Sequence, residues 1–241
     1  MEDSPIGLDK WLPAIWIIVN AKNGVSSYEI HRALGITQKS AWFLLHRIRL
    51  AMQAKSFEKL SGHVEIDETF IGGKARFMHK HDRERKIKGT GGMGKVAVMG
   101  LLERHGGEVR VQVVQNRRRY CLDGIVRENV ESGSSVYSDA LRSYDKLNDE
   151  YIHQVIDHAE KYVDGNVHTN SIENFWSLLK RALKGTYVSV EPFHLFRYLD
   201  EQSFRFNKRT GNDLYRFLEV AKQLTGRRLT FDELTGESAT H

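Results

Sequence analysis

The order of strand-like and helix-like patterns in the middle of the chain limits the folds open to it. Three strand-like runs come first, and helix and strand patterns then alternate. The strand-like runs are 63–71, 95–103, 108–115, 134–138 and 152–156, and the helix-like runs are 120–130, 141–147 and 168–184. Successive strands usually pair antiparallel, whereas strands joined through helices run parallel. We therefore predict an α/β fold with a mixed five-stranded sheet flanked by helices.

The residues before this sheet read as helices only. Asn23-Gly24 and Gly35 are helix C-terminal signals. Ser26 with Glu29 forms a capping box, and Thr37 is a candidate N-cap. Two short helices joined by a tight turn predict a helix-turn-helix, and the same pattern also suits a plain three-helix packing unit.

Composition excludes several classes of protein. The chain of 241 residues has 40% hydrophobic and 28% charged residues, which is ordinary for a globular protein. No apolar stretch is long enough to span a bilayer, and the acidic start is not a secretory signal. The single Cys121 excludes an internal disulfide framework and a cysteine-rich zinc site within this chain. A net charge of +5 with a pI near 9.2 is compatible with a nucleic-acid partner.

The segment between the first two strands, residues 73–94, is long, basic and rich in glycine. It contains seven Lys or Arg residues against Asp82 and Glu84. Either it is a solvated charged loop, or it contacts a phosphate backbone. Its glycines precede a strand rather than a helix, which argues against a nucleotide-binding P-loop.

The first strand, "HVEIDETFI", carries an unusual amount of acid. Its alternation places His63, Glu65, Asp67, Thr69 and Ile71 on one side and Val64, Ile66, Glu68 and Phe70 on the other. Neighbouring carboxylates repel one another, and burial would raise their pKa values. The acids therefore lie at a wet edge, or something positive belongs beside them.

Two further acids are placed where they can join Asp67. Asp139 follows an apolar strand, and Glu173 lies on a helix, where it shares a face with Asn170, Ser177 and Lys180. Carboxylates from a strand, a strand end and a helix can converge at one sheet edge. Mg²⁺ takes such oxygen ligands, and two ions about 4 Å apart serve in-line displacement at phosphorus.

Several stretches, which run through almost the whole chain, resemble one known family. They are "EDSPIGLDKW", "GVSSYEIHRALGITQKSAWFLLHRIR", "VEIDETFIGGK", "VYSDALRSY", "HTNSIENFWSLLKRALKGTY" and "YLDEQSFRFNKR". In these motifs the chain resembles the ISXO-like insertion-sequence transposases, bacterial relatives of the Merlin DNA transposons with a DDE-type catalytic core.

The resemblance implies an RNase H-like core, DNA strand cleavage and strand transfer, and Mg²⁺ or Mn²⁺ as cofactor, with two ions expected. It assigns Asp67 and Asp139 to the triad. For the third position we favour Glu173, with Asn170 as its rival. Lys180 would contact DNA phosphate beside the cut, and His168 is a further candidate there.

The helix and strand patterns, together with this resemblance, suggest three segments: a helix-turn-helix at 8–57, an RNase H-like catalytic domain at 61–209 and a C-terminal helical extension at 210–241. Relatives commonly begin with a cysteine-rich zinc ribbon, so we expect either a shortened copy or a start that was placed late. In both cases the helix-turn-helix is the candidate for reading DNA. The predicted DNA contacts are Thr37, Gln38, Lys39, Ser40, Arg47, Arg49, Lys74, Lys86, Lys88, His168, Lys180 and Arg181.

The expected reaction is hydrolysis at transposon ends, followed by attack of the released 3′-hydroxyl on target DNA. The partners would be double-stranded DNA, carrying terminal inverted repeats or the target site, and a second copy of the chain in a homodimer. The expected location is cytoplasmic, on the nucleoid when DNA is bound, with no membrane partner. Two alternatives remain: a copy that only binds DNA, and a different nuclease on an RNase H-like fold.

Overall fold

The computed structural model describes residues 4–53, 58–72, 80–81, 84, 94–115, 119–139, 150–156 and 169–236. The chain divides into two compact units. Unit 1 comprises Met1–Ala54, Arg181–Val188 and Arg197–His241, and unit 2 comprises Lys55–Lys180 and Ser189–Phe196. The predicted helix at 141–147 lies outside the described residues.

Unit 2 contains the predicted mixed sheet. Its strands are β1 His63–Ile71, β2 Val96–Glu103, β3 Val109–Val114, β4 Ser135–Asp139 and β5 Ile152–Ile156. They lie in the order β3-β2-β1-β4-β5. β1, β2 and β3 pair antiparallel, whereas β4 runs parallel to both β1 and β5. The prediction of an α/β fold with a mixed five-stranded sheet is confirmed.

Helices pack on both faces of the sheet at its central strand, β1. Val64 and Ile66 of β1 pack with Leu122 and Val126 of helix α4, which spans Arg119–Asn129. Residues of helix α5, Asn170–Gly185, contact the other side of β1 and β2. Alternating strand residues point to opposite faces, so β1 carries Glu65 and Asp67 toward α5, and Val64 and Ile66 toward α4.

Unit 1 is helical. Its helices are α1 Leu8–Asn20, α2 Ser27–Leu34, α3 Gln38–Met52, α6 Leu195–Asn207, α7 Asp213–Gln223 and α8 Phe231–Thr235. The first two residues of α6 are assigned to unit 2, as is the short 3₁₀ turn at Pro192–His194 that precedes them. One apolar core joins the three N-terminal helices to Phe204, Val220 and Leu224. The segment after residue 209 therefore packs with the N-terminal helices, which the sequence had not indicated.

The local signals around α2 and α3 are confirmed. Ser26 accepts a hydrogen bond from the Glu29 amide, and the Glu29 carboxylate accepts one from the Ser26 amide at 2.7 Å. Gly35 ends α2 in the left-handed region with φ of 65°, and Thr37 caps α3 by accepting from the Ser40 amide. Three residues thus separate the two helices. No described helix combines the length and apolar character needed to cross a membrane.

A charge cluster is buried inside unit 1. The Glu201 carboxylate of α6 accepts hydrogen bonds from Arg49 Nε at 2.6 Å, and from Arg205 and the Tyr187 hydroxyl. Only 1% of Arg49 is exposed, and its guanidinium lies 4.2 Å from the Tyr198 ring centroid. The prediction that Arg49 faces DNA is therefore wrong, because α3 turns this side chain into the interior.

Asp200, also on α6, is expected to make the stability of unit 1 depend on pH. Burial raises the pKa of its carboxyl from 3.8 to about 7, against the opposing effect of Arg197 and Arg227. The folded chain therefore keeps a proton that the unfolded chain loses, and the free energy of unfolding falls as pH rises from about 4 to about 7. At about 1.4 kcal/mol per pKa unit, this amounts to a few kcal/mol.

Asp200→Asn cannot ionise, so we expect it to remove this slope and to unfold at higher urea concentration than the wild type at pH 8. Urea unfolding of both proteins at pH 5 and pH 8 measures the difference. If the free energy of unfolding changed equally with pH in the two proteins, Asp200 would not be the group responsible for the pH dependence.

Candidate active site

The two acids on one side of β1 have different surroundings. Glu65 is fully buried. Its carboxylate accepts hydrogen bonds from Arg104 Nε at 2.8 Å and from the Ile172 amide at 2.9 Å. Ile172 lies in the first turn of α5. The amides of this turn have no partner within the helix, and the N-terminal end of a helix attracts negative charge. Glu65 therefore anchors the start of α5 to β1, so the acid at this position has a structural partner.

Asp67, two residues further along β1, is half-buried. Its Oδ2 accepts a hydrogen bond from Trp176 Nε1 at 2.9 Å, and its Oδ1 accepts one from the Glu68 amide at 2.7 Å. Trp176 lies on α5, one turn after the residues that contact Glu65. The two acids of β1 thus bind two successive turns of the same helix.

The position of Asp139 follows from the strand register. β1 and β4 are parallel neighbours, and Glu65 is paired with Tyr137. Asp67 and Asp139 each lie two residues beyond that pair, and Asp139 is the last residue of β4. Because the two strands run parallel, both aspartates follow the last paired residues toward the same end of the sheet.

The first turn of α5 carries both candidates for the third position. Asn170 begins the helix, Glu173 lies three residues later, and both are exposed. The Glu173 carboxylate accepts a hydrogen bond from the Thr169 hydroxyl at 3.3 Å. Seven residues after Glu173, half-buried Lys180 follows, and exposed Arg181 comes next. The start of α5 thus offers acidic and amide oxygens, and a later turn offers two cations.

The donor set suits a hard divalent cation, because Asp67, Asp139 and Glu173 all supply carboxylate oxygens. Among the side chains that the structure describes, which exclude that of Asp139, no three His, Cys, Asp or Glu residues form a metal-binding group. The three acids therefore remain predicted ligands.

Comparison with known proteins identifies the family. A family model described as the ISXO2-like transposase domain matches residues 59–207. This chain belongs to the ISXO2-like transposase family. The match covers the whole of the sheet in unit 2 together with α4, α5 and α6, so the predicted family resemblance is confirmed.

Two relatives agree with this assignment. A protein of Halobacterium salinarum, named as an uncharacterized protein in transposable element ISH50, is 27% identical over 91% of this transposase and 78% of its own length. An uncharacterized transposase-like protein of Haemophilus influenzae is 34% identical over 48% of this chain and 93% of its own length.

Among solved structures, the cryo-EM structure of a simian T-cell lymphotropic virus intasome in complex with PP2A regulatory subunit B56 gamma contains a similar chain. The match covers 73% of the transposase and 63% of that chain, with 10% identity and a TM-score of 0.35. A likeness this distant carries no argument about function.

The start of α3 remains the predicted DNA-contacting surface of the transposase. Thr37 and Lys39 are exposed there, whereas Gln38 and Ser40 are half-buried. The Gln38 amide group donates a hydrogen bond to the Ser27 hydroxyl at 2.9 Å, and Lys39 Nζ lies 4.4 Å from the Phe231 ring centroid. The Thr37 hydroxyl also donates to the Ser40 hydroxyl at 2.8 Å. All four polar side chains thus contact the protein itself and would have to exchange those contacts for DNA.

Arg47 is a second correction on α3. Only 8% of this residue is exposed, and its guanidinium lies 5.0 Å from the Trp11 ring centroid and 5.8 Å from that of Phe43. Stacking on these rings holds Arg47 in the interior of unit 1, so the prediction that it contacts DNA is wrong. Four other predicted DNA contacts, Lys74, Lys86, Lys88 and His168, lie outside the described residues.

Sequence reasoning missed the contacts that hold β1 to α5. The sequence pattern predicts no polar role for Trp176, and it does not predict that Glu65 anchors α5. One available signal was Gly100, a glycine in the middle of an otherwise aliphatic strand, because such a glycine often marks a close approach.

Proposed function

We propose that this chain is a DDE-type DNA transposase, which cleaves DNA at the ends of its own insertion sequence and transfers the released 3′ ends into target DNA. The observation that carries the proposal is the parallel pairing of β1 with β4, in which Asp67 and Asp139 each lie two residues beyond the paired Glu65 and Tyr137, together with the contact of Asp67 with α5. Membership in the ISXO2-like family supports the same reaction.

In this proposal, Asp67, Asp139 and Glu173 hold the Mg²⁺ or Mn²⁺ ions. Divalent ions at such a site activate the attacking oxygen and stabilise the leaving oxygen of an in-line displacement. Lys180 and Arg181 bind the phosphates beside the cut, so that the scissile phosphate meets the carboxylates. Asn170 orients water or the ion beside Glu173.

The reaction takes place in two displacements at phosphorus. Water attacks the phosphate at the transposon end, the P–O3′ bond breaks, and a 3′-hydroxyl leaves. That 3′-hydroxyl then attacks a target phosphate, forming a new P–O3′ bond while the target's own 3′ oxygen leaves. Since two ends must be joined, the working form is a homodimer on DNA, with α2 and α3 contacting the terminal repeats.

The proposal is tested with purified protein and DNA that carries the inverted repeats flanking its own gene. We expect nicking and strand transfer with Mg²⁺ or Mn²⁺, and neither with EDTA. Binding to this DNA without nicking would favour a copy that only binds DNA. Preferential cleavage of RNA–DNA hybrids would favour a nuclease of another type.

A further inference from the structure

We propose that Trp176 is a positioning residue, whose indole N–H holds the Asp67 carboxylate in its metal-binding orientation, and that Gly100 provides the space for it. This inference rests on the proposed function, because it assigns Asp67 to the metal site. It adds two residues that bear no metal-ligand atom.

The contact is a charge-assisted hydrogen bond in a nearly closed environment. Only 3% of Trp176 is exposed, and its Nε1 lies 2.9 Å from Asp67 Oδ2. The indole group is a donor only, so the carboxylate oxygen is the acceptor in this contact. Phe175, the neighbouring residue on α5, fills a fully buried position without any polar atom. Packing alone therefore does not require an indole on this helix.

Gly100 lies directly opposite Asp67 in the antiparallel register of β1 and β2. A Cβ at this position would lie 2.6 Å from Trp176 Cζ2 and 2.7 Å from Cη2. Carbon atoms in contact prefer separations of about 3.5–4.0 Å, so any side chain here would displace the indole. Gly100 is absent from the described glycines with positive φ, so the ring, rather than the backbone, accounts for this glycine.

Together these contacts fix both oxygens of the carboxylate. Oδ1 accepts from the Glu68 amide at 2.7 Å, and Oδ2 accepts from the indole. Hydrogen bonds of this kind to a ligating carboxylate set its orientation, and their loss typically lowers metal affinity or activity about 10- to 100-fold.

The test compares Trp176→Phe, Gly100→Ala and the double variant with the wild type. Trp176→Phe keeps an aromatic ring but removes the N–H and the two indole atoms that a Cβ at position 100 would meet. The third atom near such a Cβ, Ile172 Cδ1 at 2.9 Å, remains in this variant. The matched control is Trp16→Phe, since Trp16 is 43% exposed on α1 in the other unit. Mn²⁺ affinity is measured by electron paramagnetic resonance, alongside the Mg²⁺ concentration that half-saturates nicking and the affinity for terminal-repeat DNA.

We expect Trp176→Phe to weaken Mn²⁺ binding about 10- to 100-fold. The Mg²⁺ requirement for nicking should rise by a similar factor, and DNA affinity should not change. Gly100→Ala should have an effect in the same direction. The double variant should be no worse than the more impaired single variant, because both changes remove one contact. Trp16→Phe should match the wild type.

A measurement on the unaltered protein covers the case in which a variant fails to fold. The chain has four tryptophans, so indole N–H signals are few in a ¹⁵N-correlated NMR spectrum. Addition of Mg²⁺ should shift the Trp176 signal with the same dissociation constant as metal binding and leave the Trp16 signal in place.

The outcomes separate the two levels of the argument. The inference would be overturned if Trp176→Phe bound Mn²⁺ as tightly as the wild type, or if Mg²⁺ did not shift the Trp176 indole signal. Either result would leave the proposed function standing. A wild-type protein that neither binds Mn²⁺ nor nicks its own terminal repeats would overturn the proposed function, and the inference with it.

Discussion

Asp67→Asn is expected to lower the rate of DNA nicking by about 1,000-fold or more and to leave the affinity for terminal-repeat DNA unchanged. The asparagine side chain lacks the negative charge of the aspartate, so it binds a divalent ion weakly. Bound ions stabilise the transition state by several kcal/mol, and this stabilisation is lost with them. Each 1.36 kcal/mol corresponds to a factor of ten in rate. Single-turnover nicking and a DNA-binding titration measure the two quantities.

The neighbouring strand supplies the matched variant for this experiment. Asp139→Asn should cause a loss of the same order, because the proposed function assigns both aspartates to the metal ions and both lie two residues beyond the paired Glu65 and Tyr137. Glu128→Gln replaces an exposed carboxylate on α4 of the same unit and should retain full activity. Nicking by Asp67→Asn at near wild-type rate would remove this residue from the site and reject the proposed triad.

The same assay decides the third position. Glu173 and Asn170 are both exposed in the first turn of α5. If Glu173 is the ligand, Glu173→Gln should resemble Asp67→Asn, and Asn170→Ala should retain measurable nicking. The reverse result would transfer the role to Asn170.

Glu201→Gln should be the most damaging of the charge-neutralising changes in unit 1, with a loss of about 3–5 kcal/mol in the free energy of unfolding. Glu201 is fully buried and accepts from Arg49, Arg205 and Tyr187. Without its charge, two buried guanidinium groups lose their counter-ion. Urea denaturation followed by circular dichroism measures the loss.

A partly exposed ion-pair group in the same unit provides the comparison. Glu219 lies 3.8 Å from Lys208 and 3.9 Å from Lys222. Because water screens such pairs, Glu219→Gln should cost about 1 kcal/mol or less. Equal losses in the two variants would mean that the buried cluster contributes no more than a surface contact.

The Glu201 cluster also predicts a direction with pH. Burial alone would raise the pKa of Glu201, but Arg205 and Arg49 outweigh it and lower the pKa to about 2. The stabilisation is therefore complete above about pH 4.5, the ordinary value, and is lost as pH falls toward 2. This lies below the range in which Asp200 acts, so the two effects can be separated in one pH series.

The strands and helix ends could be predicted because their causes are local. The period-2 pattern places β1 at His63–Ile71 in both sequence and structure. The capping box at Ser26 and the left-handed Gly35 depend on residues within a few positions of one another. For the same reason the positions of Asp67 and Asp139 on their strands were within reach of the sequence.

Which side chains meet was decided only by the tertiary structure. Arg49 was predicted to face DNA because it is basic on a candidate DNA-binding helix, yet it pairs with Glu201, 152 residues away. Asp67 meets Trp176 across 109 residues, and this contact depends on a missing side chain at Gly100. Periodicity states which residues share a face, whereas the partner of that face depends on how distant segments pack. The sequence alone thus determined the elements and the acids on them, and the packing of α5 on β1 and of α6 on α3 decided what each charged group does.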